Sequence, residues 1–151
     1  MNTDRIQRSV VLQAPRGRVW RALTDASEFG TWFGIVLDGP FVPGETTTGR
    51  FEQPEYAHIP VEFVIERVEP ETYFSYRWHP YAVEVGADYS AEPTTLVEFR
   101  LADEAGGTRL TVTESGFDAI PVERRDEARR MNDGGWAAQL DNIRDHVVAR
   151  V

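Results

Sequence analysis

Glu114 shares strand parity with Leu110 and Val112, so alternation turns its carboxylate toward the covered side of the last strand. A carboxylate placed there must be paired, hydrogen-bonded or protonated, and a raised pKa would suit it to general acid or base work. The plainer reading has it turned to solvent or tied to an arginine at the strand end. Trp32, Phe33, Phe51, Trp78, Phe117 and Trp136 are the rings expected to line or flank a pocket, where they would offer a flat or greasy molecule a large contact area. The same rings could simply be core. Tyr81, Met131 and Gly135 complete the candidate ligand-binding set, together with His79, which stands where a strand runs into a long connection.

His58, His79 and His146 fall in separate segments without the spacing that puts two imidazoles on one metal, and the chain has no cysteine. No metal site, disulfide or thiol nucleophile is expected. GxSxG, Walker-type and dinucleotide-binding glycine patterns do not occur, so neither a covalent mechanism nor a cofactor is expected.

The elements that must position these residues follow from periodicity. Alternation predicts a first strand over Arg5–Leu12, and helical spacing of Val19, Trp20 and Leu23 predicts a helix over Pro15–Thr24. A second short helix starts near Ser27 and carries Phe29, Trp32 and Phe33. Six further strands are predicted over Ile35–Leu37, Thr46–Phe51, Ile59–Val68, Thr72–His79, Thr94–Ala102 and Thr108–Ser115. Turn chemistry at Glu69-Pro70-Glu71 and Glu104-Ala105-Gly106-Gly107 makes neighbours antiparallel hairpins. Arg77, opposite in parity to Tyr76 and Trp78, belongs to the solvated face.

Pro121 opens a long last helix in which Trp136, Leu140, Ile143 and Val147 form an apolar stripe, while the half from Val122 to Arg130 is mostly charged. The mixed run from Glu123 to Arg130 reads as a solvated, salt-paired helix face, or alternatively as a docking surface for a partner protein. Gly134-Gly135 costs about 1 kcal/mol per glycine against alanine, so close packing or a local irregularity is expected there. The fold class is α+β: a curved antiparallel sheet of about seven strands capped by the final helix. A curved sheet and a straight rod mesh along only part of their length, which puts a cavity toward the helix N-terminus.

At 151 residues the chain reads as a single domain, 1–151, and 41% hydrophobic with 27% charged residues is ordinary globular composition. The net charge of −9 repels a phosphate backbone, so nucleic acid is not an expected partner. No segment approaches a membrane span or a signal peptide, and a cytoplasmic location is expected.

Ala14-Pro15, then Val19-Trp20-Arg21-Ala22-Leu23-Thr24-Asp25, Trp32-Phe33-Gly34, Thr113-Glu114-Ser115-Gly116-Phe117, and Gly135-Trp136 with Leu140-Asp141-Asn142-Ile143 stand in that order. The combination resembles the START-like (SRPBCC, Bet v 1-like) superfamily, and within it the bacterial homologues of the activator of the heat-shock protein 90 ATPase. The resemblance implies a helix-grip fold enclosing a hydrophobic cavity, and a link to the stress response. It does not fix an activity, because the fold hosts lipid carriers, hormone binders, polyketide cyclases and co-chaperones. The connection from His79 to Pro93 is longer than in many relatives and would serve as a lid or a packed surface loop.

The leading expectation is noncatalytic binding of a small hydrophobic or aromatic molecule between sheet and final helix. One alternative is a cyclase or aromatase-like enzyme in which Glu114 moves protons; the other is a co-chaperone-like interaction module. The eukaryotic activators carry an N-terminal domain with no counterpart in these 151 residues, which argues against a chaperone partner. An exposed sheet edge would permit a homodimer.

Overall fold

The computed structural model describes residues 4–80 and 91–149. Strand β1 (Arg5–Leu12) leads into helices α1 (Arg16–Thr24) and α2 (Ala26–Phe33). Six strands follow: β2 (Ile35–Leu37), β3 (Thr46–Phe51), β4 (Pro60–Glu69), β5 (Tyr73–Trp78), β6 (Thr95–Glu104) and β7 (Gly107–Ser115). Helix α3 (Val122–Ala149) closes the chain. The strands make one antiparallel sheet in the order β1-β7-β6-β5-β4-β3-β2. The local hairpins form the expected meander from β2 to β7, and β1 joins its far edge, with Ile6 opposite Glu114.

Turn chemistry sets the registers. Ala105 and Gly106, both at positive φ, make the two-residue loop between Glu104 and Gly107, a primed turn whose twist suits a hairpin. Gly34 ends α2 in the left-handed conformation, which turns the chain straight into β2. At Gly30 a Cβ would lie 2.4 Å from the carbonyl oxygen of Ile35, so only glycine lets α2 sit this close to β2.

Alternation gives the sheet an apolar inner face. Ile65, Tyr76, Val97, Glu114 and Ile6 lie side by side in one row across β4, β5, β6, β7 and β1. Trp136, Leu140, Ile143 and Val147 of α3 join that face in one core, together with Phe29, Trp32 and Phe33 of α2. The outer face is polar, and Arg77 pairs there with Glu66 as its parity requires. At the far end of α3, Glu28 binds all three helices: Oε1 accepts from Arg18 (2.8 Å) and lies 2.9 Å from His146 Nε2, while Oε2 accepts from Arg21 (2.8 Å). Burial pushes the Glu28 carboxyl up, but the hydrogen bonds from His146, Arg18 and Arg21 outweigh it and lower its pKa to about 2.

Candidate functional site

Glu114 points inward, as its parity predicts, and is fully buried. Its partners are neutral. Oε2 accepts hydrogen bonds from Trp78 Nε1 (2.7 Å) and Thr95 Oγ1 (2.5 Å), and Oε1 from Trp136 Nε1 (2.8 Å). Asn132 Nδ2 is shared between the two oxygens at 3.0 and 3.1 Å. The carboxylate therefore ties α3 to β5, β6 and β7 at one point. Burial pushes its pKa up, and the bonds from Thr95, Trp78, Trp136 and Asn132 pull it partway back, leaving it raised. A carboxylate offers about four lone-pair sites, and these four donors occupy them. The plainer reading of Glu114, turned to solvent or tied to an arginine, does not hold.

Around this node the rings of Phe33, Trp78 and Trp136 form a triangle with centroids 5.8 to 6.0 Å apart. Both indole N–H groups of the triangle are spent on Glu114; Phe33 and Trp136 are buried, and half-buried Trp78 presents the triangle's accessible apolar surface. Deeper in, Phe29, Phe63, Phe74, Tyr76, Phe99 and Phe117 have 0% exposure. A side chain without accessible surface borders no space as large as a water molecule, so the expected hollow does not reach this depth. Phe63 and Tyr76 stack at 4.4 Å there, and the Tyr76 hydroxyl has no hydrogen-bond partner among the described residues. Accessible surface reappears at the outer end of the helix–sheet seam, where Trp78, His79 and Asn132 are half-buried and Met131 and Gly135 exposed.

The predicted site residues thus divide. Phe33, Trp78, Glu114 and Trp136 come together. Trp32 is held elsewhere, its indole donating to the carbonyl of Ala22 (2.9 Å) and stapling α2 to α1. Phe117 is sealed in the core, and Phe51 is half-buried on β3 against Tyr56. Tyr81 lies outside the described residues, as does most of the proposed lid.

The lid's two ends are described: His79 Nε2 lies 3.1 Å from the carbonyl oxygen of Glu92, and Arg124 donates to both the Glu92 carboxylate (2.9 Å) and the Pro80 carbonyl (2.9 Å). Arg124 of the charged run thus clips both ends of the connection to α3. Gly134 and Gly135 lie in regular helix, and a Cβ on either would meet no described residue within 4 Å, so among the described residues neither the close packing nor the local irregularity expected of them is found. Two further members of the node, Thr95 and Asn132, carry no motif. Thr95 was readable as inward from its parity with Val97, and Asn132 stands one helical turn before Trp136.

The model of the family described as Activator of Hsp90 ATPase homolog 1-like protein matches residues 13–147. Among solved structures, a protein from Arthrobacter aurescens superposes with a TM-score of 0.80 at 14% identity, over 99% of this chain and 90% of that one. The Aha1 dimer from Colwellia psychrerythraea gives 0.71 at 17%, over 95% of each chain. DynU16, described as a putative protein in the dynemicin biosynthetic locus, gives 0.74 at 24% over 95% of this chain, which spans about half of DynU16 (47%). No curated protein matches. At these identities the structures establish the shared helix-grip fold, and the family model establishes descent. The chain belongs to the Activator of Hsp90 ATPase homolog 1-like family.

Proposed function

We propose that the chain binds a small hydrophobic or aromatic molecule at the outer end of the seam between the sheet and α3, against Phe33, Trp78 and Trp136. The observation that carries this reading is the ring triangle itself: buried Phe33 and Trp136 converge on half-buried Trp78, the ring at which the packed interior gives way to accessible surface. Their two indole N–H groups are already satisfied, so a greasy molecule covering the rings strands no polar group. Proton transfer by Glu114, the alternative enzymatic reading, is disfavoured by the same network, because no lone pair is left to take a substrate proton.

Titration of 15N-labelled protein with 2-naphthol, followed through the indole N–H signals, tests the reading. Trp78 and Trp136 are expected to shift, while Trp20 on α1 stays still, and Trp78→Ala is expected to weaken binding at least tenfold. Unmoved Trp78 and Trp136 signals, or undiminished affinity in Trp78→Ala, would overturn it.

A further inference from the structure

Asn132 is fixed in one orientation by chemistry alone. The side-chain atom that faces Glu114 lies within 3.1 Å of both carboxylate oxygens, and only an amide NH2 can stand there, because a carbonyl would set acceptor against acceptor. The carbonyl Oδ1 must therefore point away from the carboxylate. It accepts no hydrogen bond from any described residue, and Asn132 as a whole is half-buried. On the same helix face, three residues further on, Gly135 contributes no side chain, and no described residue lies within 4 Å of the position its Cβ would take. No described residue bonds to Oδ1, and the indoles of Trp78 and Trp136 converge on the same carboxylate that anchors the amide.

We infer that Asn132 selects the ligand's polar group: its outward carbonyl, held by Glu114, accepts a hydrogen bond from the hydroxyl or N–H of an uncharged aromatic molecule lying on Trp78, beside buried Trp136. This rests on the binding reading above and narrows it to a class, phenol-like or indole-like molecules. An anionic group would bring acceptors to an acceptor, next to a buried carboxylate. An ammonium could donate, but it would exchange its hydration for one carbonyl, since the Glu114 lone pairs are occupied. The charged neighbours of Asn132 along α3 have partners elsewhere: Arg129, one turn before it, donates to the Arg5 carbonyl, and Asp133 pairs with Arg8.

The test compares 2-naphthol with 2-methylnaphthalene, which has a methyl group in place of the hydroxyl, on the wild type and on Asn132→Leu, with the indole signals reporting affinity. One neutral hydrogen bond corresponds to roughly threefold to tenfold in affinity. The wild-type preference for 2-naphthol, relative to 2-methylnaphthalene, is expected to fall by that factor in Asn132→Leu, while 2-methylnaphthalene binds both proteins alike. Asn132→Ala repeats the measurement should the leucine disturb the indole spectrum. An unchanged preference ratio in both variants would overturn the inference and leave the binding reading standing. Failure of both probes to move Trp78 or Trp136 would overturn the two together.

Discussion

Glu114→Gln changes the node with almost no change of shape. Glutamine has one acceptor oxygen where the carboxylate has two, and Trp78 and Trp136 donate to opposite oxygens. An indole nitrogen cannot accept, so whichever way the new amide turns, its NH2 meets an indole N–H. The unpaired buried donor costs about 1–3 kcal/mol, offset in part because a buried charge has also been removed. A double-mutant cycle with Trp78→Phe separates the two effects. With a phenyl ring at that position the glutamine NH2 turns toward it without conflict, while its oxygen keeps Trp136 and the lost packing of Trp78 cancels in the cycle. The pair is therefore expected to be less destabilised than the sum of the singles by about 1–3 kcal/mol. Urea denaturation followed by far-UV circular dichroism measures all four proteins without relying on tryptophan. Additivity within about 0.5 kcal/mol would refute the assignment of Glu114 as the shared acceptor of both indoles.

Gly134→Ala and Gly135→Ala are each expected to raise stability by about 1 kcal/mol, because both sit in regular helix with open space around the missing Cβ; a loss in denaturant titration would reveal a packing role. Acid should act through Glu28. Its folded pKa of about 2 lies below the ordinary 4.5, so the unfolded chain takes up the proton first as pH falls. The resulting stabilisation, roughly 3 kcal/mol, is complete above the ordinary value and drains away as pH falls through about 2. Urea midpoints between neutral pH and pH 2 are expected to show this slope in the wild type and a shallower one in Glu28→Gln; identical slopes would refute it.

What was legible in the sequence is what local physics decides. Parity and turn residues placed all seven strands within a residue or two at most ends, and turned Tyr76 inward and Arg77 outward, because alternation is a property of a strand by itself. The joining of β1 to β7 spans nearly the whole chain, and no local pattern in the sequence announces it. How far a hollow reaches along the seam is not legible in the sequence, because filling it depends on rotamers: Phe63 and Tyr76 could have stood apart around a cavity, yet they stack. Gly134-Gly135 predicts close packing or a local irregularity, and among the described residues neither is found.

Glu114 shows most clearly where local reading stops. Its direction follows from two neighbours on the same strand, but its chemistry is set by four donors lying 18 to 36 residues away, none of them in a motif with it. A buried carboxylate with free lone pairs could act as a base. The same carboxylate with every lone pair occupied instead fixes the geometry of its donors, and that difference moves the chemistry from Glu114 to the groups it orients. Trp78 is left with apolar surface and Asn132 with an outward carbonyl, so under the proposed binding the node would select a molecule by what it has already satisfied.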